Sequence, residues 1–170
     1  MEIRRTQMGE LDSILKIYAY AREQMKLNGN PTQWGDKHPA ESVVIDDIKS
    51  GNSYVILKDG EICGVFSFIL GKEPTYAKIE GEWKNQEPYG TIHRIASNGA
   101  TKGIFDACIE FCQSNISNLR IDTHFDNKIM QYLIEKNNFE RCGIIYVADG
   151  TPRIAYEKCA NISTENEVVK

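Results

Sequence analysis

Two predicted strands carry the side chains best suited to proton transfer. His93 lies in the strand-like run 91–97, and His124 follows Asp122 in a second such run. An imidazole ordinarily titrates near neutral pH, so His93 is the first candidate for a general base and His124 is the second. Asp122 and His124 share a strand face, about 6 to 7 Å apart along the strand, and we expect them to cooperate. The alternative for either histidine is a structural role, hydrogen-bonded to its neighbours.

A small polar loop between a predicted strand and a predicted helix is the second feature that bears on chemistry. Gly99 and Gly103 lie in it, with Lys102 beside the second glycine. A helix start carries unpaired backbone N–H groups and about half a positive charge, so phosphate is stabilised there without a basic surface. Glycine lets the backbone approach such an anion closely. The alternative is an ordinary connection that binds nothing.

Aromatic and acidic residues in the predicted loops are candidates for substrate binding. Trp34, Trp83 and Tyr89 present ring faces that bind apolar or cationic groups. Glu80 is a further candidate, because a carboxylate can act on an amine through a water molecule. The alternatives are aromatic packing over the sheet and a solvated carboxylate.

The composition limits the class of protein. The chain has 170 residues, of which 41% are hydrophobic and 26% charged, as in an ordinary soluble single domain. Its apolar runs are too short to cross a bilayer, and no apolar signal-peptide core follows the N-terminal arginines. We therefore expect a cytoplasmic protein with no membrane partner. A net charge of −4 argues against a general nucleic-acid surface.

Metal and disulfide chemistry are both disfavoured. The five cysteines are an odd number without a CxxC pair, and the three histidines lie far apart in the sequence. We expect reduced thiols and no metal site.

Hydrophobic periodicity predicts the elements of the first half of the chain. A strand begins at Ile3, and residues 9–27 and 40–50 have helical spacing. Residues 53–70 read as two antiparallel strands around the turn Asp59-Gly60, which suits the positive backbone angles of a tight hairpin.

The second half alternates strands and helices. Strand 91–97 passes through the glycine-containing loop into a helix, and strand 118–124 leads to a helix capped by Asp126 or Asn127. Alternation along strand 91–97 assigns its odd-numbered residues to one face and its even-numbered residues to the other, so that His93 and Ile95 lie together. A hairpin then closes the fold.

This order of elements indicates a mixed α/β (α+β) sheet with about seven strands and four helices on its faces. We expect one domain over residues 1–160, followed by a polar C-terminal tail at residues 161–170.

From Glu2 to Cys159 the order resembles the GCN5-related N-acetyltransferase (GNAT) fold, an acyl-CoA N-acyltransferase fold. In that family the loop after the fourth strand wraps the pyrophosphate of acetyl-CoA through a Q/R-x-x-G-x-G/A motif, which aligns with residues 100–105 and retains Gly103. The segment "LRIDTHFDNKIMQYLIEKNNFERCG" is similar to the fifth strand of the family, its Asn-starting helix and its L-Y-x-K-x-G-F segment. Ile134 replaces the tyrosine that protonates the departing thiolate in many members.

The resemblance implies an N-acetyltransferase that moves the acetyl group of acetyl-CoA directly to a primary amine of a small molecule or peptide. His93 would lie beside the thioester, Tyr146 or a water would supply the acid, and the aromatic residues and Glu80 would surround the acceptor. The implied contacts to acetyl-CoA are the main chain of the fourth strand, the following loop and helix start, and the next helix cap. These residues are Ile95, Ala96, Ser97, Thr101, Lys102, Gly103, Ile104, Phe105 and Asn127.

Two other functions remain open at this stage. One is a noncatalytic acyl-CoA-binding or sensing module, and the other is a structural α/β interaction protein whose loop binds nothing. Dimers are common in proteins of this kind, so a homodimer is an open alternative to a monomer.

Overall fold

The computed structural model describes residues 1–160, in which eight strands form a continuous sheet with helices on both faces. The strands are β1 (Glu2–Arg5), β2 (Ser53–Lys58), β3 (Glu61–Leu70), β4 (Glu80–Gly81), β5 (Gly90–Ser97), β6 (Leu119–Thr123), β7 (Glu140–Tyr146) and β8 (Pro152–Lys158). The helices are α1 (Leu11–Leu27), α2 (Glu41–Lys49), α3 (Ile104–Asn115) and α4 (Lys128–Lys136). Across the sheet the order is β1-β2-β3-β5-β6-β8-β7-β4.

Helices α1 and α2 cover one face of the sheet because their apolar residues recur at helical spacing. Ile14 and Ile17 of α1 and Val44 of α2 are buried against Val55 and Val65 of the sheet. This layer lies on the same face as the functional side chains described below.

Helices α3 and α4 cover the opposite face. Phe105 and Ile109 of α3 and Ile134 of α4 are buried with Phe66 and Ile92 in the largest apolar core. The five cysteines of the chain are free, and the two in α3 are part of this core.

Local turn chemistry fixes several element ends. Asp59 and Gly60 adopt φ angles of 53° and 82° in the β2–β3 turn, as the Asp-Gly pair predicts. Asn127 caps α4, since its side-chain oxygen accepts a 3.0 Å hydrogen bond from the N–H of Met130. Asn138, with φ of 64°, takes the left-handed conformation that ends the same helix.

Strands β5 and β6 are parallel neighbours that separate early. Only Gly90 pairs with Leu119 and Thr91 with Arg120, and the remaining residues of both strands have no register with each other. The other neighbouring strands are antiparallel. The separation opens a gap in the middle of the sheet, and main-chain groups of β5 beyond Thr91 that point toward β6 have no strand partner.

A bulge in β5 lies beside this gap. Val65 pairs with Ala96 and Ser67 with His93, so Arg94 and Ile95 together oppose one residue of β3. The bulge corrects the predicted alternation: Ile95 packs in the α3–α4 core, whereas Ala96 packs with the α1–α2 layer, on the face of the sheet that His93 also occupies. Simple alternation fails here because the extra residue reverses the direction of every side chain that follows it.

A buried charge network holds the loop before β5 against the sheet. The guanidinium of Arg120 lies 3.9 Å from the ring centre of Tyr89 and 4.1 Å from that of Trp83. It also donates a 3.1 Å hydrogen bond to the carbonyl of Asn85 and lies 3.4 Å from a carboxylate oxygen of Glu157. Because the Glu157 side chain is 0% exposed, its charge depends on this pairing.

The predicted GNAT fold and its four helices are confirmed, and the sheet has eight strands rather than about seven. The additional strand, β4, has only two residues and gives no periodic signal. The predicted helix at residues 9–27 begins at Leu11, because residues Met8–Glu10 form a 3-10 turn. The predicted tail at residues 161–170 lies outside the described residues, so the domain boundary stays a prediction.

Within residues 1–160, every helix is too short or too polar to traverse a lipid bilayer.

Replacing Glu157 with Gln should destabilise the protein by about 3–5 kcal/mol, because it leaves the buried Arg120 guanidinium without its counter-charge. Glu140 supplies a matched control, since it pairs directly with Glu157 in the β7–β8 register but is exposed and contacts Lys84 on the surface. Glu140→Gln should cost less than about 1 kcal/mol. Urea unfolding monitored by circular dichroism measures both values. Equal losses in the two variants would contradict the network's role.

Candidate active site

A cleft of about 530 Å³ occupies the gap between β5 and β6. Sheet residues that line it are Ile92, His93, Arg94, Ile95, Ile121, Asp122, Thr123 and Arg153. Loops and helices contribute Met25, Gln33, Trp34, His38, Glu73, Thr75, Asn127, Met130 and Asp149. Acidic, basic and apolar groups therefore meet in one pocket, as in most small-molecule sites.

The His93–Glu73 pair is the best-positioned group for proton transfer. Nε2 of His93 lies 3.1 Å from Oε2 of Glu73, and both side chains are less than one-fifth exposed. This contact, together with hydrogen bonds from Thr75, lowers the pKa of Glu73 to about 2. A neutral His93 that donates Nε2–H to this carboxylate leaves Nδ1 as the nitrogen able to accept a proton.

Asp122 and Tyr76 form a second pair beside the imidazole. The Tyr76 hydroxyl donates a 2.7 Å hydrogen bond to Oδ2 of Asp122. Burial raises the pKa of Asp122, and His93 and this hydrogen bond oppose the rise. Burial also raises the pKa of Tyr76 well above its ordinary value, and the nearby carboxylate adds to the rise. Tyr76 is thus held as a neutral donor, and its ring lies 6.4 Å from the ring of His93.

An ion pair between β5 and α2 stabilises the bulge in β5. The Arg94 guanidinium donates two hydrogen bonds to Asp47 of α2, at 2.8 and 2.9 Å, and Tyr18 of α1 donates a 3.0 Å bond to the Arg94 carbonyl. Arg94 has a φ of 53°, which is uncommon for a residue with a side chain. Both helices therefore stabilise the main-chain conformation that places His93 and Ile95 at the cleft.

The loop after α1 and the start of α4 form the outer wall. The Trp34 ring packs edge-on against Tyr18, with centroids 5.7 Å apart. Nδ2 of Asn127 donates a 2.9 Å hydrogen bond to Oε1 of Gln33, while its oxygen caps α4. The Asn127 amide thus joins two elements at the rim of the cleft.

The start of α3 presents a row of free main-chain donors. Among the described residues, no acceptor is bonded to the backbone N–H groups from Lys102 to Asp106, and the first bond of the helix runs from Ala107 to the Gly103 carbonyl. Gly103 has a φ of 80°, which glycine adopts without strain. The side chains of Ile104 and Phe105 are buried in the core, so that only their main chain is available to a ligand.

The fold is shared with proteins of known structure. An acetyltransferase of the GNAT family from Streptococcus agalactiae is 30% identical, with a TM-score of 0.84 over 93% of this chain and 94% of that one. The chain belongs to the GNAT family.

Two further structures share the GNAT fold at lower identity. A GNAT-family acetyltransferase from Listeria monocytogenes is 17% identical, with a TM-score of 0.69 over 93% of this chain and 94% of the other. A phosphinothricin acetyltransferase from Sinorhizobium meliloti, in complex with acetyl-CoA, is 16% identical, with a TM-score of 0.62 over 99% and 93%. No protein-family model and no curated protein matches the chain.

In this GNAT protein the cleft brings together part of the predicted site. His93, Asp122, Ile95, Asn127 and Trp34 all line it. The roles assigned to them stay predictions, but their positions are compatible with a common site.

The predicted cooperation between His124 and Asp122 is wrong. Nδ1 of His124 accepts a 3.0 Å hydrogen bond from the N–H of Asp126, in the turn before α4. Asp122 is instead bonded to Tyr76 and faces His93. β6 ends at Thr123, so strand alternation does not extend to His124, and its side chain is absent from the cleft lining.

Tyr146 and Glu80 also lie away from the cleft, at the β7–β4 edge of the sheet. The Tyr146 hydroxyl donates a 2.9 Å hydrogen bond to Oε1 of Glu80, and both side chains are exposed. Neither residue lines the cleft, so the geometry contradicts Tyr146 as the acid and Glu80 as an acceptor contact. The Glu80 prediction failed because β4 takes the segment before β5 to the far edge of the sheet. The Tyr146 prediction failed because Ile145 packs with Tyr76 and Tyr89, so alternation along β7 turns Tyr146 to the other face.

Trp83 and Tyr89 are structural rather than substrate-binding. Their rings hold Arg120 between them, the Trp83 indole N–H donates to the carbonyl of Tyr76, and the Tyr89 hydroxyl accepts from the N–H of Glu73. The cation that they bind is a residue of the chain itself.

Sequence reasoning missed four residues of the site: Glu73, Tyr76, Asp47 and Arg153. Glu73 and Tyr76 lie in a polar segment without periodicity; the 3-10 turn Pro74–Tyr76 follows Glu73, which lines the cleft, and buries Tyr76 beside Asp122. Asp47 sits on the apolar side of a predicted helix, where a buried acidic residue is a signal that a partner is near. Residues 1–160 contain no group of three or more His, Cys, Asp or Glu side chains arranged to hold a metal ion.

The Glu73 pKa predicts an acid-dependent loss of stability. A carboxyl with a lowered folded-state pKa stabilises the fold above its ordinary pKa of 4.5, and this contribution disappears as the pH falls toward about 2. Glu73→Gln should therefore lower the free energy of unfolding by about 2 kcal/mol at pH 7, and the difference from the wild type should shrink between about pH 4.5 and pH 2. Urea unfolding across this range measures it.

Glu61→Gln is the control for that experiment, because Glu61 is an exposed carboxylate at the start of β3. The free energy of unfolding of Glu61→Gln should equal that of the wild type at every pH in this range. A Glu73→Gln deficit that stays constant down to pH 2 would show that the carboxylate charge does not stabilise the His93 contact.

Proposed function

We propose that this GNAT protein is an N-acetyltransferase that transfers the acetyl group of acetyl-CoA directly to a primary amine of a small molecule or peptide. One observation carries the proposal: the His93–Glu73 pair lies in a cleft lined by the stretch of β5 that has no partner on its β6 side. A proton acceptor and free main-chain groups therefore border the same space.

Acetyl-CoA fits the chemistry of β5 and of the start of α3. The free N–H groups at the start of α3 suit a pyrophosphate, and Gly103 leaves them uncovered. Lys102 is exposed beside them and adds a positive charge. On its β6 side, the main chain of β5 near Ile95, Ala96 and Ser97 offers donors and acceptors to an extended amide-containing chain. The acetyl-CoA complex of the Sinorhizobium relative supports the same cosubstrate here.

The protein's own groups supply the proton transfers. Acetyl-CoA contributes the thioester that the amine nitrogen attacks, with the C–N bond forming as the C–S bond breaks. Nδ1 of His93 takes one proton of the ammonium, while Glu73 holds the other side of the imidazole. No tyrosine lines the cleft within residues 1–160, so water carries the second nitrogen proton to the leaving thiolate.

A noncatalytic acyl-CoA-binding module is the second candidate, favoured by one observation. Ile134, which replaces the tyrosine found in many GNAT members, is 0% exposed and has no polar atom in its side chain. Turnover with any amine separates the two functions, because a sensing module binds acetyl-CoA without consuming it.

Acetyl-CoA should stabilise the wild-type protein by about 2.7 kcal/mol at a concentration of about 100 times Kd, which raises Tm by several degrees. Gly103→Val should weaken this binding at least about tenfold, because the side chain covers the N–H groups and strains the left-handed backbone. Gly60→Val is the matched control, since Gly60 has a φ of 82° in open space at the β2–β3 turn. Unchanged affinity in Gly103→Val would exclude the α3 start as the pyrophosphate site.

Replacing His93 with Ala should lower kcat by about 10² to 10⁴ while leaving the acetyl-CoA Kd unchanged, because a general base acts only in the chemical step. Steady-state release of free CoA, followed with a thiol reagent, measures kcat with any accepted amine. His124→Ala should keep wild-type turnover. Full activity of His93→Ala would rule out His93 as the base.

A further inference from the structure

Arg153 is a buried cation of the cleft that forms no salt bridge within residues 1–160. It lies near the start of β8, is 7% exposed, and lines the pocket. Its only hydrogen bond within residues 1–160 runs from Nη1 to the carbonyl of the adjacent Pro152, at 3.1 Å. A guanidinium has five N–H donors in a planar fork and keeps its charge at all physiological pH values.

The other charged groups of the cleft already have partners. Glu73 is bonded to His93, and Arg94 forms a two-pronged pair with Asp47. Asp122 accepts from Tyr76, and Asp149 accepts from the N–H and hydroxyl of Thr151. Asp122 and Asp149 attract Arg153 from a distance, but neither forms a salt bridge with it.

This arrangement makes Arg153 a site for an anionic group of the ligand. Burial lowers the pKa of the guanidinium, which reflects the cost of a desolvated positive charge. A carboxylate placed on the fork would replace the lost hydration with two charge-assisted hydrogen bonds. A doubly charged phosphate fits less well, because Asp122 and Asp149 lie close enough to repel it.

The position of Arg153 relates this anion site to the reacting amine. In the β6–β8 ladder Asp122 pairs with Ala155, and Arg153 lies two residues from Ala155 on the same face of β8. Diagonal neighbours of this kind are about 7–8 Å apart. A single small molecule can therefore place its ammonium near Asp122 and His93 while its carboxylate reaches Arg153. The neighbouring Ile154 points into the α3–α4 core, so Arg153 faces away from it.

We propose that Arg153 binds a carboxylate of the acceptor, and that the acceptor is an amino-acid-like small molecule carrying both an amine and a carboxylate. The proposal rests on the acetyltransferase function proposed above. It narrows the acceptor class from primary amines in general to those with an acid group near the amine.

Matched pairs of probes test this assignment. Isothermal titration of the CoA-saturated protein compares the common α-amino acids, β-alanine and 4-aminobutyrate with the amines that lack the carboxylate. CoA without an acetyl group prevents turnover during the measurement. We expect at least one acid-bearing probe to bind about 10- to 100-fold more tightly than its decarboxylated partner.

Arg153→Met should abolish this preference, and Arg153→Lys should restore part of it because lysine keeps the charge but not the fork. Arg141→Met is the matched control, since Arg141 is an exposed guanidinium on the neighbouring strand β7 and is absent from the cleft lining. It should behave as the wild type. Thermal unfolding without ligand checks that each variant is folded.

Three binding results for the acceptor probes overturn the assignment: equal binding of both members of every pair, a preference that survives Arg153→Met, or no binding of any acid-bearing probe. A loss of CoA affinity in Arg153→Met also overturns it, because Arg153 would then serve the cosubstrate. A wild-type protein that binds neither CoA nor acetyl-CoA instead removes the proposed function itself. The two failures are therefore distinguishable.

Discussion

The separation of β5 from β6 after two residue pairs is the constraint on which the rest of the structure depends. A parallel pair that stops early leaves main-chain donors and acceptors unpaired inside a protein, and such groups are costly unless a ligand or water satisfies them. The cleft and the bulge in β5 both border this opening. Strands β5 and β6 are therefore hydrogen-bonded to each other at one end and separated at the other.

Charges on the α1–α2 face of the sheet have two distinct uses. At the end where β5 and β6 pair, Arg120 and Glu157 are buried together with aromatic rings and hold the loop before β5 in place. At the end where β5 and β6 are separated, Arg94 and Asp47 stabilise the bulge, and His93 and Glu73 border the cleft. Ion pairs thus hold a loop against the sheet at the first position and orient the side chains of the cleft at the second.

Periodicity predicted the order of the elements and the resemblance to GNAT proteins predicted the fold, whereas the site depended on contacts that no local pattern encodes. The Asp59-Gly60 turn and the Asn127 cap follow directly from residue type, and the helix faces follow from spacing. Alternation in β5 failed because the bulge requires Arg94 in a left-handed conformation, and Asp47, 47 positions earlier in the chain, stabilises it. His93 was predicted from its chemistry, but its partner Glu73 was not, because a loop with no periodicity brings it there.

Strand β8 carries a positive and a negative side chain on one face. Arg153 lies at the cleft, and Glu157 lies four residues later in the buried charge network. Arg153 takes no part in that network, because its one hydrogen bond within residues 1–160 goes to the carbonyl of the adjacent Pro152, so substitutions at this position remove no member of the network. Glu157 is the buried counter-charge of that network, so its substitution destabilises the protein. If Arg153 binds the acceptor as proposed, acceptor preference in descendants of this protein can drift through a single codon near a turn, while a change four residues away on the same strand destabilises the sheet.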